Sequence, residues 1–265
     1  MFHELRNTAR VFNNLGIELP AESRDALALA DAINAATQTN AATDLNQSII
    51  DGNTTAENIG HKLQETALAL VVAERIQEAA HATQDAVYRA FNTGIRDNAD
   101  TLVKALRKPF DAAAHIITEA GRRFAPDANA GTVLAAGVEA AKAWEQLTEA
   151  RNTMAQIRNA RTIISDAQRD NTPNHLLYIA PTTDLGRIYQ AEALFTRAGD
   201  AMHQLTHAGF TLRLNTAAEA KAMVDKAKTT AQRAAEQAAA AARAAREADP
   251  HSEVAIRRAI DKANA

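Results

Sequence analysis

This sequence predicts an all-α protein, and three observations carry the prediction. Alanine makes up roughly a quarter of the chain, long stretches contain neither glycine nor proline, and apolar residues recur along those stretches at helical spacing. Alanine removes the steric and entropic objections to helix without adding a reactive group. The expected architecture is an elongated antiparallel helical bundle or hairpin coiled coil. An Ala-rich C-terminal helical arm extends it, and one small two-stranded ribbon is an option.

Residues 1–52 read as N-terminal short helices. Leu5, Phe12 and Leu15 give Phe2 to Leu15 an amphipathic face, and Gly16 follows where a left-handed residue is cheapest. Pro20 then sits at a first helical turn, with Leu27, Ala30 and Ile33 behind it at helical steps. The Thr- and Asn-rich stretch from Thr37 to Thr43 reads as a loop, Asp44 as the cap of a short helix to Ile50, and Asp51-Gly52 as a turn.

Residues 53–170 read as the long-helix core. Thr54 and Glu57 form a capping-box pattern opening a helix to about Phe91, whose Ile59, Leu63, Leu70, Val72, Ile76, Val87, Tyr88 and Phe91 are apolar enough to meet more than one neighbour. After Gly94 the pattern resumes at Leu102, and Pro109 should kink or divide that helix before Ala125-Pro126-Asp127 ends it.

From Gly131 to about Gln168, Val133, Ala136, Ala140, Ala143, Leu147, Ala150, Met154, Ile157, Arg161 and Ile164 alternate by threes and fours as a coiled-coil seam. Its alanines allow close backbone approach, so Ala143→Leu should overpack it by about 1 to 3 kcal/mol. Arg161 is expected at a frayed end or snorkelling outward.

Residues 171–215 read as one helix, Thr183 to His207, flanked by extended pieces. The runs His175 to Ala180 and Phe210 to Leu214 could pair as the ribbon. Residues 216–265 form the arm. A second capping box, Thr216 with Glu219, opens it, and Asp249-Pro250 supplies a cap and first-turn proline for a last helix to Ala263. Between Ala227 and Ala248 no leucine, isoleucine, valine or aromatic residue occurs, which predicts a protruding helix.

The chemistry on offer is sparse. There are no cysteines, so disulfides, thiolate metal sites and thiol nucleophiles are excluded. Neither a Gly-x-Ser-x-Gly elbow nor a Gly-rich phosphate loop occurs, and Trp144-Glu145-Gln146 departs from the Trp-x-Gly pattern of small secreted helical proteins. Asp200, His203 and His207 share one side of a helix, and Glu78 with His81 makes a Glu-x-x-His element of the kind di-iron bundles use. These are metal candidates, but His61 with Glu65 and His115 with Glu119 repeat the spacing, as chance would. No cofactor is expected.

A formal charge of −3 gives no whole-chain attraction to nucleic acid. Within 216–265, Arg243, Arg246, Arg257 and Arg258 are candidate phosphate contacts, yet Glu236, Glu247, Glu253 and Asp261 interleave with them. The arm's apolar surface is methyl groups of alanine, unsuited to a membrane interface, and Ala67 to Ala73 is too short an apolar run to span one. Trp144 reads as a packed residue or a partner's anchor.

The reading with most support is a non-enzymatic structural or assembly protein, cytoplasmic or carried in a virion, that meets a protein partner or itself through helices. Abundant alanine and an excess of arginine over lysine suggest a high-GC source such as a phage host. A metal-binding helical enzyme and a nucleic-acid binder are the alternatives.

Overall fold

Helix forms where the apolar spacing holds and also along the alanine-rich C-terminal stretch, and glycines at positive φ follow the ends of several helices. The structure is a computed structural model describing residues 2–125, 128–197, 199–248 and 253–263. Its helices are α1 (His3–Asn14), α2 (Ala21–Ala36), α3 (Ala41–Ile50), α4 (Ile59–Asp97), α5 (Ala99–Arg123), α6 (Ala130–Ala135), α7 (Val138–Gln168), α8 (Asn174–Tyr178), α9 (Leu185–Thr196), α10 (Ala201–His207), α11 (Ala217–Ala248) and α12 (Glu253–Ala263). The protein is all-α, as the alanine content and spacing predict. The turn read at Ala125-Pro126-Asp127 and the cap read at Asp249-Pro250 fall on residues outside the described ones.

By its contacts the chain divides into two units, Met1–Phe110 with Arg151–Asn171, and Asp111–Ala150 with Thr172–Ala265. The segment read as 53–170 contributes residues to both units, 111–150 to the second and the rest to the first. Pro109 does not divide α5, which runs through it as one helix; the passage between units follows immediately, after Phe110.

In the first unit α1 closes at Leu15, and Gly16 takes a φ of 68° as predicted. Phe2, Phe12, Phe91, Leu106 and Phe110 are fully buried, with Ile157 and Ile164 of α7. The Ser23 hydroxyl donates to the Phe91 carbonyl at 2.9 Å, tying α2 to α4. Gly94 lies inside α4 rather than ending it. A Cβ there would meet the backbone nitrogen of Ser23 at 2.8 Å, so glycine is what lets α2 approach.

Thr54 and Glu57 do not cap α4. Asn58 precedes the helix and its Oδ1 accepts from the Thr55 amide at 2.7 Å, while Thr54 Oγ1 joins Ser48 and the Lys62 ammonium. The Glu57 carboxyl is instead held below its usual range by the Thr55 hydroxyl. Asn40, not Asp44, precedes α3, so helix occupies part of the stretch read as loop.

The positions read as a seam are not buried along their whole length. Leu147, Ala150, Met154, Ile157 and Ile164 are buried, as is Val133. Gly137, at φ 94°, separates α6 from α7 and leaves Ala136 exposed past a helix end. Ala140 and Ala143 are half-buried, and Ala143 lines an open groove with His115 and Glu119, so the overpacking expected there has no tight seam to act on.

Arg161 neither frays nor snorkels. It is 1% exposed, donates to Ser165 Oγ at 2.6 Å and faces Asp170 at 3.5 Å. Burial with an anion close to the end of its own helix is the outcome a seam position forces when the chain turns back beside it.

In the second unit the expected ribbon shrinks to one antiparallel bridge, Ile179 with Leu212. His175 to Tyr178 forms α8 instead of strand; a short apolar run buried on all sides has no periodicity to tell the two apart. The bridge is clamped by Asn215, whose amide donates to the Leu176 and Ile179 carbonyls at 2.9 and 2.7 Å. Asn215→Ala would leave both carbonyls unpaired in the interior, so a loss of about 2 kcal/mol is expected in urea unfolding. A variant as stable as the parent would show that the clamp is incidental.

The helix read from Thr183 to His207 is two helices. Gly199 takes a φ of 112°, and Asp184 and Asp200 cap α9 and α10. Thr216 and Glu219 form their capping box as predicted, the Thr216 amide donating to Glu219 Oε2 at 2.8 Å and the Glu219 amide to Thr216 Oγ1 at 3.2 Å. Ala220, Met223 and Ala227 of α11 are buried. Beyond Ala227 every residue to Arg246 is exposed except half-buried Ala231.

Candidate functional site

A helix that is apolar around its whole circumference needs neighbours on every side. The first half of α4 has them on one side only. Half-buried Ile59, Lys62, Thr66, Ala69 and Ala73, then buried Ala80 and Val87, form the flank toward α2 and α3. About a quarter of a turn round the helix lie Leu68, Val72, Ala79, Thr83, Ala86 and Ala90, one stripe at steps of three, four and seven.

That stripe has two halves of opposite shape. Its N-terminal half is a ridge, with Leu68 67%, Val71 54% and Val72 48% exposed, and Ile76 behind them. Its C-terminal half is a groove of about 560 Å³ between the small residues Ala79, Thr83, Ala86 and Ala90 of α4 and Leu29, Ile33 and Ala36 of α2. Leu63 and Leu70 are exposed beyond the opposite edge of the packed flank, and Ile49 and Ile50 at the end of α3. So the face predicted to meet more than one neighbour meets two short helices, and large apolar side chains remain open.

The charges beside this stripe are exposed and paired along the helix. Arg75 Nη1 donates to Glu78 at 2.7 Å, and His61 lies 3.4 Å from Glu65. A separate polar groove holds Arg89 and Arg96 of α4 beside Asp166 and Arg169; sequence spacing gives no hint of it because the residues come from distant helices.

The other candidates are placed as follows. Asp200 is spent on a cap, its Oδ1 accepting from the Met202 and His203 amides at 3.1 and 3.2 Å. His203 Nε2 is 3.1 Å from the Phe124 carbonyl and His207 Nδ1 is 3.1 Å from the Gly121 carbonyl, so both imidazoles bind α5 and the residue that follows it. His81 lies exposed on α4, in the other unit. Among the described residues no group of three or more histidines and acids stands where it could hold a metal ion.

Arg243, Arg246, Arg257 and Arg258 are exposed on α11 and α12. Trp144 stacks edge-on against Phe124, ring centres 5.6 Å apart, which fits its packing role. The chain matches no protein-family model, no curated protein and no solved structure. Among the described residues no helix is long and apolar enough to cross a membrane.

What the sequence reading missed at this site is the groove. Spacing alone assigned the apolar residues of α4 to burial, although the unbroken run from Ala67 to Ala73 already marks two turns with no polar face.

Proposed function

We propose that this chain is a non-enzymatic structural or assembly protein that works by helix-to-helix contact with other protein, in the cytoplasm or as part of a virion. The supporting observation is the ridge of α4, where Leu68, Val71 and Val72 stand 48% to 67% exposed within two turns. Contiguous apolar surface of this kind is costly in water and marks contact sites. The unpacked length of α11 adds a second extended surface, lined with methyl groups and charge. A component of an assembled particle, of a phage from a high-GC host, is the concrete form that the composition suggests.

Sedimentation equilibrium of the full chain tests this. Association that rises with concentration between the micromolar and near-millimolar range is expected, and it should weaken when Leu68 and Val72 are both replaced by glutamine, since these exposed positions hold nothing in the fold. A chain that stays monomeric across that range and in mixtures with its source's other proteins would overturn the reading.

A further inference from the structure

We infer that the occupant of the α4 groove is the α4 ridge of a second copy of this chain, and that the pair is an antiparallel dimer with its two-fold axis at the level of Gln77. This rests on the assembly reading above and specifies its contact.

The argument is one of self-complementarity. A two-fold contact places one surface against itself reversed, so every feature needs its complement at equal distance on the far side of the axis. Along α4 the bulky residues come first and the small ones second. Leu68 and Ala86 share one line of the helix and are equidistant from Gln77; Val71 with Ala82 on one side of that line, and Val72 with Thr83 on the other, are equidistant to within one residue. Reversal therefore seats each ridge over the partner's run of small residues, with Leu29 and Ile33 of α2 as the groove's second wall. A parallel partner would set ridge on ridge and groove on groove.

The charges agree with the same axis. Arg75 and Glu78 lie on one flank of the stripe and on either side of Gln77. In an antiparallel pair the same flank of both copies meets, so each Arg75 comes beside the partner's Glu78 and each Glu78 beside the partner's Arg75. The ion pair within each copy, both side chains more than half exposed, is ready to become a four-charge cluster. Opposite charges in this arrangement fix register, and like charges would repel.

The test uses full-length protein with substitutions confined to exposed positions. Wild type should sediment as a dimer. Arg75→Glu alone and Glu78→Arg alone should each weaken the dimer about tenfold or more, and the double variant should recover most of it. Because the chain has no cysteine, Leu68→Cys with Ala86→Cys in one chain should give a covalent dimer under mild oxidation. Leu68→Cys alone should not, since the two copies of that position lie at opposite ends of the contact. Cross-linking through Leu68→Cys alone, or an oligomer unmoved by either charge variant, would overturn the antiparallel contact and leave the assembly reading standing. A monomer at all concentrations would remove this dimer, and association with another protein would then be the remaining form of that reading.

Discussion

Asp170→Ala is expected to lower stability by about 3 to 5 kcal/mol, the range for stranding a buried charge. The guanidinium of Arg161 is 1% exposed and its Nε has no hydrogen-bond partner, so its charge is answered by Asp170 at 3.5 Å and the Ser165 hydroxyl. Removing the carboxylate leaves a cation in the interior. The reverse substitution is milder. Arg161→Met fills much of the same volume with a flexible apolar chain, and Asp170, 14% exposed, keeps access to water. A cost of about 1 to 2 kcal/mol is expected there, from the shape change. Urea unfolding followed by circular dichroism compares the two, and an Asp170→Ala variant no less stable than Arg161→Met would refute the charge argument.

Gly94→Ala is the second large effect, at about 2 to 3 kcal/mol of destabilisation from overpacking. Alanine is the better helix former by about 1 kcal/mol, so propensity alone predicts the opposite sign. The difference lies in what the new methyl group meets. At Gly94 it would strike the Ser23 hydroxyl and its backbone nitrogen, the latter at 2.8 Å, and a backbone atom can yield only if α2 moves. At Gly60, in the same helix, nothing lies within 4 Å. Gly60→Ala should therefore stabilise, by up to about 1 kcal/mol. Thermal melts of the two variants in parallel decide it; equal shifts for both would mean the close approach of α2 to α4 carries no energy.

These two sites illustrate what the sequence can and cannot convey. Gly94 reads as a helix breaker because the cost of glycine is local, whereas the benefit comes from Ser23, far away along the chain. Arg161 falls in the seam by spacing, yet its partner Asp170 follows a helix end that spacing alone does not place. The capping boxes show both outcomes. Thr216 and Glu219 bond reciprocally, while at α4 neither Thr54 nor Glu57 caps: Asn58 takes the position before the helix, and its Oδ1 accepts from the Thr55 amide in the preceding turn. Helix content follows from composition, and helix ends follow where glycine at positive φ or an aspartate cap is recognised. Gly199 and Asp200 mark the break before α10 in the sequence itself, and the His203 and His207 spacing belongs to α10 alone.

The candidate surface was half readable. Leu63, Leu70, Val72 and Ile76 stand out as apolar in the sequence, but periodicity measures how much hydrophobic surface a helix has and not how much its neighbours cover. Only the packing of α2 and α3 along a single flank reveals that Leu68 and Val72 are left open.

The stretch of α11 beyond Ala227 has a further consequence. With its side chains exposed from Lys228 to Arg246 apart from half-buried Ala231, its order rests mainly on the helix–coil balance of an alanine polymer, in which each added residue contributes little and no single one is indispensable. Such a segment loosens gradually along its exposed length as temperature rises, while the box at Thr216 and Glu219 keeps its root fixed. Substitutions along it should therefore act by their number more than by their position.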